Sequence, residues 1–229
     1  MKRTLFLALL IFTSFAFAAG EPPALNAEMQ KNITPDQTLQ RLISGNAYFI
    51  NHETITKNYR QNKRLTAAAQ YPAAVVLSCM DSRVPPEVVF NQNIGDIFVL
   101  RSAGNVVDSD VLGGMEYATK VVGAKLIVVM GHDSCGAVAG ACKNVEMGNL
   151  TQLVEKIDPA IATAKKSLNT QNCDSDELIN TAARDNVLNM IQEIQKRSPI
   201  IRELIKHGQV KIVGAVYHVA TGKVSFLNS

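Results

Sequence analysis

The sequence predicts an α/β fold: a central, mostly parallel β-sheet flanked by helices, with a helical arm before the sheet and a hairpin after it. Three apolar runs lack the alternation of a half-exposed strand, which is typical of strands buried on both faces. Helical periodicity separates and follows these runs. Buried strands that alternate with helices favour a parallel sheet over a β-sandwich.

The predicted strands are the apolar runs themselves. They cover residues 73–78, 97–100 and 126–130. A helical pattern over residues 110–122 connects the second run to the third. Since the carboxyl ends of parallel strands meet at one edge of a sheet, the residues that follow these strands are where a ligand is expected to bind.

A helical arm is predicted before the sheet, over about residues 27–65. Its clearest helix begins at a capping box, in which the Thr34 hydroxyl accepts a hydrogen bond from the first turn and the Gln37 side chain reaches back. Pro35 is tolerated because the first helical position needs no N–H donor. Apolar residues at helical spacing follow, so this helix is expected to be amphipathic.

The second half of the chain is predicted to be helical and then to close in a hairpin. The predicted elements are helices over residues 150–168 and 176–196, a shorter helix after Pro199, and strands over residues 210–217 and 224–227. The first strand of this hairpin is apolar enough to join the sheet.

Composition excludes two broad classes of protein. With 47% hydrophobic and 19% charged residues, the 229-residue chain has the balance of a folded globular protein and not of a disordered one. A formal charge of +3 with no basic stripe gives no electrostatic footprint for nucleic acid, so no nucleic-acid partner is expected.

Residues 1–19 have the pattern of a secretory signal peptide. Lys2 and Arg3 precede an apolar run, which ends in an Ala-Phe-Ala cleavage signal. The run is shorter than the roughly 20 residues that span a bilayer, so a stable membrane anchor is the weaker interpretation. The chain is therefore expected to be exported, to a bacterial periplasm, and residues 20–229 are expected to form a single domain.

The four cysteines allow two interpretations. An exported chain meets an oxidising compartment, which favours two disulfides. The chain is long enough to build a core without them, however, and Cys79 and Cys135 lie in motifs that suit a metal better. Cys142 and Cys173 could pair or remain free thiols, and the sequence leaves both open.

Reactive side chains follow two of the buried strands. Cys79 ends the first, and His132 and Cys135 follow the third. If these strands are neighbours, two thiolates and an imidazole meet, and Zn²⁺ binds this set with one position open for catalysis. From the spacing alone, two buried cysteines and a hydrogen-bonded core histidine are the alternative.

Two motifs that contain these cysteines, and the segments around them, together resemble a known family. The motifs are Cys79-x-Asp81-x-Arg83 and His132-x2-Cys135, and the segments are residues 82–85, 95–99, 101–105 and 116–118. In this order and spacing they resemble the β-class carbonic anhydrases, from about residue 70 to the final hairpin. The resemblance implies the β-carbonic anhydrase fold and a zinc enzyme, a lyase that reversibly hydrates CO₂ to bicarbonate and a proton by attack of zinc-bound hydroxide.

The resemblance also implies roles for Asp81 and Arg83. Arg83 holds the Asp81 carboxylate through charge-assisted hydrogen bonds, and Asp81 orients the attacking oxygen. Released from Arg83, Asp81 would become a fourth metal ligand and close the site. The alternative is an exposed surface ion pair. The absence of Trp from the chain favours the subgroup of the family that stays open.

Four further residues match the substrate pocket of the family. Gln70 and the backbone N–H of Gly136 are implied to orient bicarbonate oxygens, and Phe98 and Tyr117 to keep the pocket apolar. For the two aromatic residues, simple core packing is an equal alternative.

The resemblance implies self-association as well, as a homodimer or a dimer of dimers, with N-terminal helices extending over the neighbouring subunit. Two other functions stay open: hydrolysis of a related small substrate such as carbon disulfide, and zinc binding without activity. The Asp81–Arg83 pair argues against the second of these.

Overall fold

The computed structural model describes residues 24–51 and 57–227. Five strands form one sheet in the order β2-β1-β3-β4-β5. The strands are β1 (Ala74–Ser78), β2 (Ile97–Arg101), β3 (Leu126–His132), β4 (Lys211–Tyr217) and β5 (Val224–Leu227). All neighbours pair in parallel except β4 and β5, which are antiparallel. The predicted leader, residues 1–19, lies outside the described residues.

Helices cover both faces of this sheet. In chain order they are α1 (Ala27–Asn32), α2 (Pro35–Ile50), α3 (Tyr59–Leu65), α4 (Pro86–Val89), α5 (Ser109–Glu116), α6 (Gly136–Cys142), α7 (Gly148–Val154), α8 (Asp158–Leu168), α9 (Asp176–Arg197) and α10 (Pro199–Lys206). Among the described residues, no helix combines the length and the apolar composition needed to cross a membrane.

The predicted α/β class and mostly parallel sheet are confirmed. Every residue of β1 and β3 is buried, as their unbroken apolar runs require. The two strands are direct neighbours, with Ala74 opposite Leu126 and Ser78 opposite Met130. This adjacency is the condition on which the predicted convergence of the cysteine and histidine side chains depends.

The helix predicted over residues 110–122 is present but changes type. It begins as α5, where the Asp108 side chain accepts a hydrogen bond from Val111 N–H, and continues as a π-helical segment, Tyr117–Val122. Gly123 then ends it in a left-handed conformation (φ 96°). The wider turn changes the direction of the side chains that follow Tyr117, a residue predicted to line the substrate pocket.

The amphipathic helix α2 packs on the sheet of its own chain. It begins with the predicted capping box of Thr34 and Gln37, and its Leu42 is buried. The Asn46 amide donates to the carbonyl oxygens of Val89 and Gly222 and accepts from Val224 N–H. These contacts fix α2 against the sheet of its own chain. The extension of the N-terminal helices over a neighbouring subunit stays a prediction.

The opposite face of the sheet carries α9, which approaches β3 and β4 very closely. A Cβ atom at Gly131 would lie 2.8 Å from Val187 Cγ2, and one at Gly214 would lie 2.9 Å from Val187 Cγ1. Only glycine permits this approach, so the two glycines set how near the helix lies to the end of β3.

Cys142 and Cys173 form a disulfide, with their Cα atoms 5.6 Å apart. The bond joins the last residue of α6 to the loop that precedes α9. Cys79 and Cys135 are free and buried. Of the two disulfides that composition alone suggested, one is present, and the other pair of cysteines lies at the predicted metal site.

Candidate metal centre

The three predicted ligands meet at the carboxyl edge of the sheet. Cys79 directly follows β1, His132 is the last residue of β3, and Cys135 is the N-cap of α6. Their ligand atoms all lie within 4.8 Å of one another, and all three residues are buried. The predicted convergence is therefore confirmed, and it follows from the parallel pairing of β1 with β3.

The spacing of the sulfurs fits a metal ion. Cys79 Sγ and Cys135 Sγ are 4.0 Å apart. Two Zn–S bonds of about 2.3 Å at a tetrahedral angle would separate the sulfurs by about 3.8 Å, whereas a disulfide would bring them to about 2.0 Å. The backbone thus holds the two thiols at the distance of a shared cation and beyond that of a covalent bond.

The orientation of His132 supports the same conclusion. Its Nδ1 lies 2.8 Å from the carbonyl oxygen of Asp133, so Nδ1 carries the proton and donates it. Nε2 is then left with a free electron pair, and this buried atom has no hydrogen-bond partner. A buried polar atom without a partner is costly, and a metal ion at Nε2 removes that cost.

The two thiols do not ionise together on their own. The pKa of Cys79 is lowered to about 4, mainly by the hydrogen bond from Cys135 and, against the effect of burial, by the neighbouring His132 ring and two backbone N–H groups. These are the N–H groups of Asp81 and Gly104, at 3.4 and 3.3 Å from Sγ. The pKa of Cys135 is raised, since ionised Cys79 and burial both disfavour a second thiolate. Both sulfurs can carry charge together only beside a positive ion.

Asp81 and Arg83 form a bidentate ion pair next to this cluster. Arg83 Nε lies 3.0 Å from Asp81 Oδ1, and Nη2 lies 2.8 Å from Oδ2. The Arg83 backbone N–H adds a third hydrogen bond to Oδ1 at 2.9 Å. Hydrogen bonds from Arg83 lower the pKa of Asp81 to about 2, so the carboxylate is ionised at neutral pH.

The position of Asp81 places the ion pair at the metal centre. Asp81 Oδ2 lies 3.9 Å from His132 Nε2, the atom that lacks a partner. Asp81 was predicted as a conditional fourth ligand, and here its two oxygens are engaged by Arg83. With both oxygens bonded to Arg83, the Asp81 carboxylate is held in one orientation.

Arg101 is a contributor that the sequence did not single out. Its Nε donates to the carbonyl oxygen of Cys79 at 3.1 Å, and its Nη2 donates to the carbonyl oxygen of Asp81. Arg101 thus holds the backbone of the turn that carries both a ligand and the ion pair. The sequence shows that Arg101 lies in a motif at the end of β2. That its side chain reaches the turn after β1 depends on the order of the strands, which the sequence does not state.

The predicted pocket residues occupy different surroundings. Phe98 and Tyr117 contact one another, with ring centroids 6.1 Å apart, and Tyr117 is 50% exposed. Gly136 begins α6 beside Cys135, with open space where a side chain would be. Gln70 lies in the exposed segment before β1. Their roles toward bicarbonate stay predictions.

The fold and the site together define a class of protein: an α/β metalloenzyme with a Cys-His-Cys centre and an adjacent Asp–Arg pair. The family model described as carbonic anhydrase matches residues 74–224. The carbonic anhydrase of Mycolicibacterium smegmatis is 36% identical over 199 residues, covering 84% of this chain and 93% of the relative. Carbonic anhydrase 2 of Mycobacterium tuberculosis is 35% identical, covering 84% and 92%.

Solved structures agree with the sequence relatives. A tetrameric β-carbonic anhydrase from Sordaria macrospora superposes with a TM-score of 0.68 at 26% identity, covering 84% of this chain and 98% of that one. Coccomyxa β-carbonic anhydrase, solved with acetazolamide, gives 0.66 at 27% identity, covering 73% and 77%. The chain belongs to the carbonic anhydrase family, in its β class. It is accordingly an enzyme of zinc-dependent CO₂ hydration.

Proposed function

We propose that Cys79, His132 and Cys135 hold the zinc ion of this carbonic anhydrase, and that Asp81 and Arg83 are its catalytic pair. The observation that carries this assignment is the buried, unpartnered Nε2 of His132, which faces two thiols and a fixed carboxylate. Zinc bound there supplies hydroxide near neutral pH, because it lowers the pKa of a bound water toward about 7.

The protein's own part is to fix the direction of attack. Asp81 presents one carboxylate oxygen beside the metal position, where it accepts a hydrogen bond from the attacking water and aims its lone pair at CO₂. Arg83 keeps that carboxylate from turning toward the metal, since it binds both oxygens. Because the pKa of Asp81 is about 2, the group acts as an acceptor throughout the neutral range.

The pocket for CO₂ and bicarbonate is proposed to lie beside Asp81 and Arg83. Phe98 and Tyr117 pack against one another and present apolar surface, which suits a nonpolar gas. The backbone N–H of Gly136 and the amide of Gln70 are proposed to bind the oxygens of bicarbonate. Acetazolamide, which is bound in the Coccomyxa structure, is expected to compete for the same space.

Self-association is proposed as part of the active form. Met80, which lies between Cys79 and Asp81, is 63% exposed, and Val88, Ile94 and Tyr117 are also exposed apolar side chains. Apolar side chains beside a catalytic turn favour a subunit interface that borders the site. A homodimer, or a dimer of dimers like the tetrameric Sordaria enzyme, would cover them. The mass in solution, measured by light scattering, tests this.

Export is proposed from residues 1–19, whose pattern is that of a cleavable signal peptide. The disulfide supports export, because such bonds form outside the reducing cytoplasm. The enzyme would then interconvert CO₂ and bicarbonate in a bacterial periplasm. Fractionation of cells that express the full chain, with mass spectrometry of the mature N-terminus, tests this assignment.

The experiment that tests the function is a stopped-flow CO₂ hydration assay on the metal-analysed protein. The expected result is one zinc per chain, rapid hydration, and inhibition by acetazolamide. Carbon disulfide is assayed in parallel, and faster turnover of this substrate would replace the proposed reaction with hydrolysis. Zinc at one per chain without either activity would leave a zinc-binding protein.

A further inference from the structure

Helix α9 is linked by hydrogen bonds to Cys79 through Gly104 and directly to the turn between His132 and Cys135. On the Cys79 side, Asn186 Nδ2 donates to the carbonyl oxygen of Gly104 at 2.8 Å. The N–H of the same Gly104 donates to Cys79 Sγ at 3.3 Å. Asn186 is fully buried, so the helix reaches the first ligand through a single intervening residue.

The second contact reaches the turn between His132 and Cys135. The Ser134 N–H donates to Asn180 Oδ1 at 2.8 Å. Ser134 has a positive φ of 51°, a conformation that residues other than glycine rarely adopt. Such a conformation persists only where its surroundings hold it, and the bond from α9 supplies that support. The distance between the last two ligands depends on this turn.

The disulfide fastens the same helix from its N-terminal end. Cys173 precedes Ser175, the N-cap of α9, and its partner Cys142 ends α6. Helix α6 begins next to Cys135, and the disulfide connects its other end to the start of α9. Asn180 of α9 then bonds back to Ser134, in the turn just before Cys135.

We propose that α9 is a brace that retains the metal, with Asn180 and Asn186 as positioning residues and the Cys142–Cys173 disulfide as its fastening. The inference rests on the zinc site proposed above and adds a dependence on redox state. When the bond forms, the two thiols lose two protons and two electrons to the disulfide of a thiol oxidant, which is released as a dithiol. The metal is then held most firmly in the compartment to which export would deliver the chain.

Zinc release from the loaded full chain, measured as transfer to an excess of a chromogenic chelator, tests the role of Asn180. We expect Asn180→Ala to speed release about tenfold, the scale typical of lost supporting contacts around metal ligands. Asn180→Asp keeps an acceptor for Ser134 N–H and should release zinc at nearly the wild-type rate. Asn189→Ala is the matched control, since Asn189 is a half-buried asparagine of the same helix.

The fastening is tested with Cys142→Ser combined with Cys173→Ser, and independently with the wild type after treatment with a phosphine reductant. Both should release zinc several-fold faster than the oxidised protein. The control is Asp174→Asn, which removes the exposed ion pair to Lys143 beside the disulfide but leaves the covalent bond. Urea unfolding of every variant separates faster release from a general loss of stability.

The outcomes distinguish the two proposals. A wild-type chain that binds no zinc overturns the proposed site, and the brace with it. A wild-type chain that binds zinc, with Asn180→Ala, the serine double variant and the reduced protein all releasing it at the wild-type rate, overturns the brace alone. Faster release by Asn180→Ala, restored by Asn180→Asp, supports it.

Discussion

The two cysteine pairs of this chain share a residue type but not a chemistry. The sulfurs of Cys79 and Cys135 lie 4.0 Å apart at the carboxyl edge of the sheet, one after β1 and the other at the start of α6. The sulfurs of Cys142 and Cys173 are covalently bonded, between a helix end and a loop. Both pairs belong to one chain.

The difference shows that backbone placement, and not compartment alone, decides what a cysteine becomes. β1, β3 and the turn before α6 keep the first pair at the distance of a shared metal ion, with His132 as the third ligand. The second pair joins the end of α6 to the loop before α9, with Cα atoms 5.6 Å apart, within the range that a disulfide requires.

The largest expected effect separates the pairs by function. Cys135→Ser should lose zinc and lower kcat/KM by more than about 100-fold, because a direct ligand matters more than a supporting contact. The Cys142→Ser, Cys173→Ser double variant, assayed with added zinc, should keep a kcat close to that of the wild type. Metal analysis and stopped-flow hydration measure both, and equal losses in the two variants would contradict the assignment of the pairs.

The next largest effect tests whether Asp81 and Arg83 contribute to catalysis in addition to the metal ligands. Asp81→Asn and Arg83→Ala should each lower kcat by about 10- to 100-fold, since the attacking oxygen loses its oriented acceptor. Zinc content should stay at one per chain in Asp81→Asn, which preserves the shape of the side chain. Full activity of both variants with bound zinc would show that the ion pair is only a surface feature.

The disulfide pair should matter most for stability. Its loop spans a sequence separation of 31 residues, and the constraint it places on the unfolded chain is worth about 3.7 kcal/mol. For a chain of this size, its loss should lower Tm by about 7–15 °C. Calorimetry of the serine double variant against the oxidised protein measures the shift, and an unchanged Tm would mean that the unfolded chain gains little freedom.

A smaller loss of stability is expected from a substitution next to the metal ligand His132 that leaves the disulfide intact. Gly131→Ala places a Cβ 2.8 Å from Val187 Cγ2 and forces α9 away from β3. Overpacking of this kind costs about 1–3 kcal/mol of unfolding free energy. Combining it with Val187→Ala should recover part of that loss in urea titrations. Purely additive losses would show that the two side chains do not conflict.

The smallest effect is expected beside the disulfide pair. Lys143 and Asp174 form an ion pair at 2.6 Å, but both side chains are more than half exposed. Solvent screens such pairs, so Asp174→Asn should leave Tm unchanged within error. A measurable drop would indicate that the charges, as well as the covalent bond, hold the loop before α9.

Much of the fold was predictable because its signals are local. The unbroken apolar runs indicate β1 and β3, and the Thr34 capping box marks the start of α2. The metal cluster was predictable for a different reason: parallel strands bring their carboxyl ends together, so Cys79 and His132 had to meet once the strands were neighbours.

Other features depend on packing that no local pattern contains. The disulfide requires the end of α6 to meet the loop before α9, which only the assembled helices determine. Asn180 and Asn186 look like ordinary polar residues of a long helix, yet both bond to segments far away in the sequence. The sequence likewise did not predict which face of the sheet α2 covers, since the apolar face of an amphipathic helix does not identify the surface on which it packs.

The location of residues 25 and 227 in the fold has a practical consequence. The N–H of Leu25 bonds to Asp96, just before β2 begins, and β5 runs antiparallel to β4, away from its carboxyl end. Leu25 therefore lies at the edge of the sheet opposite the catalytic one, and Leu227 lies at the end of β5 that is farther from the catalytic edge. A tether to a bead, a gas-exchange membrane or a carrier protein could be attached at either end while the mouth of the site stays open to dissolved gas.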